Sequence, residues 1–140
     1  MKEKRVLIVD DEADVVDYLT AILQSHDYVV ATAGNADEGY RLAGEKSPDL
    51  VCLDIMMPRE SGLSLYVRLR QDKRLAHIPV IIISGMEKEK EFDFRDYVYN
   101  KKIPLPDKYL EKPINVDEFI RSVEQLVRTD KNPRAIRDKD

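Results

Sequence analysis

One cysteine, Cys52, is all that the 140-residue chain contains. No internal disulfide and no thiolate metal cage can form, in keeping with a reducing compartment. Long apolar runs are missing as well. The longest are strand-length, far short of the roughly 20 residues that cross a bilayer, and Met1-Lys2-Glu3-Lys4-Arg5 lacks a signal-peptide apolar region. Membrane insertion is therefore not expected, and the cytoplasm is the expected location. Nor is there an excess of basic charge. With 23 Lys and Arg against 27 Asp and Glu, the net charge is −4, so this chain alone is not expected to hold nucleic acid, whose affinity comes from clustered Lys and Arg. A protein partner or a small anion fits better. The five glycines never gather into a phosphate-cradling turn after the first apolar run. Asp11-Glu12-Ala13-Asp14 stands there instead and would repel phosphate, which sets aside dinucleotide-binding and phosphate-loop enzymes. Internal repeats and low-complexity tracts are also absent, and the length and 43% apolar content suit one domain with a sizeable core.

What is present is a set of short apolar runs that each end in a residue suited to phosphate chemistry. Val6-Leu7-Ile8-Val9 leads into Asp10-Asp11, Leu50-Val51-Cys52-Leu53 into Asp54, Val80-Ile81-Ile82-Ile83 into Ser84, and Tyr109-Leu110-Glu111 into Lys112-Pro113. As neighbouring parallel strands, these runs bring three carboxylates, a hydroxyl and an ammonium to the sheet edge where open α/β folds bind ligands. Carboxylates a few ångströms apart repel by about 3–4 kcal/mol per pair at an effective dielectric of about 20, so cations must sit among them. Lys112 is one, and a hard divalent metal is the natural second.

Helical signals alternate with the strands. Asp14 to Gln24 places Val15, Val16, Leu19, Ile22 and Leu23 on one face, and Tyr28 to Ala33 reads as a second strand. Asn35 with Glu38 forms a capping box opening a helix whose apolar face is Ala36, Tyr40 and Ala43; Ser47-Pro48-Asp49 ends it. Pro58 and Gly62 mark the loop after the third strand, and Leu63, Tyr66 and Val67 define the next helix. Asn115 and Glu118 repeat the capping box before Val116, Phe119, Ile120, Val123, Leu126 and Val127. The segment from Glu87 to Lys102 reads as an irregular or short helix. The charged stretch from Thr129 to Asp140, interrupted by Pro133, reads as a disordered tail or severed linker. Strands and helices in alternation predict an α/β, flavodoxin-like doubly wound sheet of five parallel strands, order 2-1-3-4-5, with helices on both faces and a domain over residues 1–128.

These residues together resemble the receiver domain of two-component response regulators, in the single-domain, chemotaxis-regulator-like form. The elements are Asp10-Asp11, Asp54 with Met57-Pro58 and Gly62, Ser84-Gly85, and Tyr109 before Lys112-Pro113, in order over roughly residues 4 to 127. The resemblance implies that Asp54 takes a phosphoryl group from a histidine kinase or phosphotransfer protein. It implies Mg2+ held by Asp11 and Asp54 directly, by Asp10 through water and by the Met56 carbonyl. Lys112 and Ser84 would hold phosphoryl oxygens, and Pro113 would aim the lysine, usually through a cis peptide. Ser84 and Tyr109 would act as a switch, changing the surface formed by the family's fourth helix, fifth strand and fifth helix toward a downstream protein; Tyr109 as a static strand residue is the alternative. The implied protein is a signalling module rather than an enzyme, a monomer or weak dimer. It stands alone or forms the front part of a longer regulator with a DNA-binding or enzymatic output domain. A haloacid-type phosphatase needs a second acid two places after the nucleophile, where Met56 stands. A non-phosphorylated interaction module remains the other reading.

The chain also departs from the family pattern. The stretch between Ser84 and Lys112 is longer than usual, Pro104 and Pro106 stiffen it, and Asp107-Lys108 replaces a common small pair. Phe92, Phe94, Tyr97 and Tyr99 read as core packing of this segment or as a partner patch. Met56 and Met86, lacking acid or amide groups, suggest a poorly oriented water and a long-lived phosphorylated state. His26 and His77 have no nucleophile or third ligand in view.

Overall fold

A computed structural model describes residues 3–55, 62–85 and 101–128. Five strands, β1 (Arg5–Val9), β2 (Val29–Ala33), β3 (Leu50–Asp54), β4 (Val80–Gly85) and β5 (Lys108–Lys112), form one sheet in the order β2-β1-β3-β4-β5. All four pairings are parallel. The predicted sheet and order are thus those observed. Four helices are described, α1 (Ala13–Ser25), α2 (Ala36–Lys46), α3 (Gly62–Gln71) and α4 (Val116–Arg128).

Strand alternation divides the interior into two cores. Leu7, Val9, Val51, Leu53, Val80 and Ile82 face one side and meet Ala36 and Ala43 of α2 and Leu65, Tyr66 and Leu69 of α3. Val6, Ile8, Cys52, Ile81 and Ile83 face the other and meet Leu19 and Leu23 of α1 and Phe119, Ile120 and Val123 of α4. The central strands β3 and β4 are almost wholly buried, as their unbroken apolar runs require of strands covered on both faces. Gly39 lets α2 lie close, because a Cβ there would stand 2.9 Å from Leu65 and 3.0 Å from Val9.

Both asparagines cap their helices, and at α2 the glutamate reaches back one residue beyond the cap. Asn35 Oδ1 accepts the Glu38 N–H at 2.9 Å while Glu38 Oε1 accepts that of Gly34 at 3.0 Å, and Asn115 Oδ1 accepts the Glu118 N–H at 2.9 Å. Two expectations shift. Tyr28 lies outside β2 because its N–H closes α1 onto the Leu23 carbonyl at 3.1 Å, after Asp27 turns the chain with φ 68°. In α3 the sealed residues include Leu65 and Leu69, whereas Val67 is only partly covered. The helix is rotated so that Arg70 also faces inward, where its donors are matched by fixed acceptors. Most of the segment read between Glu87 and Lys102, and the tail from Thr129, lie outside the described residues.

Candidate functional site

The strands end where the sequence expected them to, and the ends converge. Asp10 follows β1 directly, its N–H extending the ladder to the Ala33 carbonyl at 3.0 Å. Asp54 is the last residue of β3, paired with Ile83, so Ser84 stands one step beyond it on β4. Lys112 ends β5 opposite Gly85. Asp10, Asp54 and Ser84 are 4%, 1% and 1% exposed, so the charge here is held where water gives little relief.

Lys112 Nζ lies 3.9 Å from Asp54 Oδ2, 3.5 Å from Asp10 Oδ2 and 2.9 Å from Glu12 Oε1. One ammonium therefore faces three carboxylates. The peptide between Lys112 and Pro113 is cis. Burial is the largest influence on Asp10 and raises its carboxyl above the ordinary 3.8. The Glu12 N–H, which donates to Asp10 Oδ1 at 2.9 Å, and the Lys112 charge act against the rise, and the Glu12 charge adds to it. For Lys112 burial is again the largest single influence and favours loss of the proton. The Glu12 hydrogen bond and the charges of Asp54, Asp10 and Glu12 together outweigh it, and the ammonium is held above its usual 10.5. Cys52, sealed in the core beneath, has its thiol pushed up to about 12 by burial and is chemically quiet.

Gly62 fixes the back of the site. A Cβ at this residue would sit 1.9 Å from the Asp54 carbonyl oxygen, and the Gly62 N–H donates to the Ile55 carbonyl at 2.6 Å. Only glycine allows α3 to begin so close to the strand that carries Asp54.

The oxygens suit a hard divalent cation. One carboxylate oxygen each from Asp10, Glu12 and Asp54 lie within 4.8 Å of one another. Two opposite ligands of an octahedral Mg2+, each about 2.1 Å from the ion, span a similar distance. The acid facing these two is Glu12, which the sequence offered only as part of the Asp11–Asp14 run that repels phosphate; its place directly after an acidic pair at a strand end is the available signal. Asp11, expected to bind metal directly, is exposed and does not belong to that trio. Ser84 and Tyr109 lie on adjacent strands and, by alternation, on the α2–α3 side of the sheet, where Tyr109 packs against the core. Met56, Met57, Pro58, Met86 and the aromatics Phe92, Phe94, Tyr97 and Tyr99 lie outside the described residues.

Comparison with known proteins agrees with this arrangement. The family model for the response regulator receiver domain matches residues 6–124. The DNA-binding dual master transcriptional regulator RpaA of Synechocystis is 35% identical over 136 residues, covering 94% of this chain but only 52% of the relative. Protein PilH of Pseudomonas aeruginosa is 33% identical over 123 residues, covering 88% of this chain and 97% of the relative. The chain thus spans about half of the first relative and nearly all of the second. Among solved structures, a CheY-like receiver domain protein of Methanospirillum hungatei superposes with a TM-score of 0.76 at 25% identity, over 91% of this chain and 95% of that one. NtrX of Brucella abortus gives 0.79 at 28% identity, over 99% of this chain and 30% of that one. By sequence, strand order and the acids at its strand ends, the chain belongs to the response regulator receiver domain family.

Proposed function

We propose that Asp54 is the phosphoacceptor of a switch driven by a histidine kinase or phosphotransfer protein. The convergence of Asp10, Asp54 and Lys112 at the strand ends carries this reading. A carboxylate oxygen of Asp54 attacks phosphorus and the bond from phosphorus to the donor imidazole nitrogen breaks. Its electron pair returns to the ring, which takes up a proton, and an acyl phosphate remains on Asp54. No general base is needed, because a carboxylate attacks without giving up a proton; placement and charge neutralisation carry the catalysis.

Lys112 takes one phosphoryl oxygen and the Ser84 hydroxyl another. Mg2+ would be held by Asp54 and Asp11 directly, by Asp10 through water and by the Met56 carbonyl, the set that the family resemblance implies; the nearness of the Asp10 and Asp54 oxygens supports the part of it that those two residues supply. When bound, the ion neutralises charge on the phosphoryl oxygens. The phosphoryl group adds about −1.5 to −2 charges, enough to draw Ser84 toward it and to bias Tyr109, its neighbour on the same face, toward a second position. The altered surface around β5 and α4 then meets a downstream protein.

No described helix is long and apolar enough to cross a membrane, which agrees with action in the cytoplasm. A receiver acting by protein contact accords with a match over nearly all of PilH, and a receiver joined to a further domain accords with a match over half of the DNA-binding regulator RpaA.

Intact-mass measurement after incubation with acetyl phosphate and Mg2+ tests the proposal. A single phosphate adduct is expected, lost in Asp54→Asn and on chelation. An adduct that survives Asp54→Asn, or none in the unaltered chain with either acetyl phosphate or a phosphorylated kinase, overturns it.

A further inference from the structure

The shortest contact of Lys112 among these acids is not with Asp54. Its Nζ donates to Glu12 Oε1 at 2.9 Å, a full ångström shorter than its distance to Asp54 Oδ2. Glu12 is the N-cap residue of α1, yet its side chain makes no capping hydrogen bond, unlike Asn35 at the head of α2. The backbone is pinned independently, since the Glu12 N–H donates to Asp10 Oδ1. The side chain at this N-cap thus leaves its own helix uncapped and reaches across to β5. What it meets is the ammonium that the phosphoryl group needs.

We propose that Glu12 is a positioning residue that holds Lys112 in reserve, its carboxylate competing with the phosphoryl oxygens on Asp54 for the ammonium. The inference rests on Asp54 being the phosphoacceptor. Before transfer the ammonium is shared among Glu12, Asp10 and Asp54. After transfer it moves to a phosphoryl oxygen and Glu12 turns to solvent, which it reaches readily because its side chain is 55% exposed while that of Lys112 is 19%. Loss of the acyl phosphate returns Lys112 to Glu12. An ion pair open to water on one side is weak, so the competition is set at about two- to five-fold in rate, a brake and not a block.

The test compares the unaltered chain, Glu12→Gln, Lys112→Met and the double variant. In metal-free protein, hydrogen exchange of the Lys112 ammonium is followed by NMR. Glu12→Gln is expected to speed it several-fold, and unchanged exchange overturns the proposal whether or not the protein is ever phosphorylated. With acetyl phosphate at saturating Mg2+, Glu12→Gln is expected to form the adduct two- to five-fold faster, with no such gain in the Lys112→Met background. An equal gain in both backgrounds is plain relief of charge repulsion and overturns the proposal. A slower rate with weakened Mg2+ binding makes Glu12 a metal ligand and overturns it as well. Absence of any adduct in the unaltered chain refutes Asp54 as acceptor, and the exchange measurement then decides separately whether Glu12 holds the lysine.

Discussion

The two ends of the sheet treat charge in opposite ways. Where the strands begin, Arg70 is buried, its side chain 1% exposed, and its donors are engaged. Nε donates to the Tyr66 hydroxyl at 3.1 Å, Nη1 to the Ile78 carbonyl at 2.7 Å and Nη2 to Asp107 at 3.1 Å. Asp107 also accepts the Val80 N–H at 2.8 Å and returns its own N–H to the Val80 carbonyl at 3.1 Å. The guanidinium lies 4.9 Å from the Tyr66 ring centroid, and the Tyr66 hydroxyl donates to Pro104. Where the strands end, Asp10, Glu12 and Asp54 share Lys112. The first end satisfies its ions and fixes the approach to β5; the second leaves an excess of negative charge for a metal and a phosphoryl group to relieve. Departures from local charge balance belong at the functional end of a fold.

Breaking the satisfied end gives the largest effect. Arg70→Met strands Asp107 and two backbone carbonyls and is expected to cost about 3–5 kcal/mol in urea denaturation. Gly62→Ala attacks the other end through packing, because its Cβ would overlap the Asp54 carbonyl. It should cost about 1–3 kcal/mol and also slow adduct formation, since the strand end must shift with it. A Gly62→Ala protein of normal stability and phosphorylation rate would remove the claim that this glycine holds Asp54 in place. Mg2+ then sharpens the contrast: at ten times its dissociation constant it should stabilise the unaltered chain by about 1.4 kcal/mol. The same increment should persist in Arg70→Met and shrink in Asp54→Asn.

The functional end was far more legible in the sequence than the satisfied one. Asp10, Asp54, Ser84 and Lys112 each follow an apolar run, and a parallel sheet of known order brings such ends together without knowledge of any side-chain contact. Asn35 and Asn115 announced their helices because an N-cap is local chemistry. Arg70 gave no comparable signal. It alternates with Arg68 near the end of α3, and only the rotation of the helix, set by Leu65 and Leu69, decides which arginine turns inward. The acid at Asp107, visible only as a departure from the family pattern, acquires its reason from that arginine 37 positions earlier. Glu12 stood in the sequence only as one of several acids beside the first strand, because an acid at a helix N-terminus has an ordinary explanation in the helix dipole. Its reach to Lys112 spans 100 positions of chain.

The smallest expected effect separates the ends by the sign of their pH dependence. Asp72, after α3, is held down to about 2, chiefly by its hydrogen bond with the Arg74 side chain, then by those from the Tyr40 hydroxyl and the Arg74 N–H. Its native form stays ionised while the unfolded chain takes up a proton near 3.8, so its contribution is present above 3.8 and is lost as pH falls toward about 2. Asp10 has the opposite sign. Burial raises its native value above 3.8, so the native state keeps a proton that the unfolded chain has released, and stability is lost as pH rises from 3.8 through the raised value. In metal-free protein followed by urea denaturation across this range, Asp72→Asn should flatten the acid limb alone. Asp10→Asn should remove the decline above 3.8 alone. If Asp10→Asn instead steepens that decline, Lys112 more than offsets the burial of Asp10, and the two ends of the sheet do not differ in the way their charges are balanced.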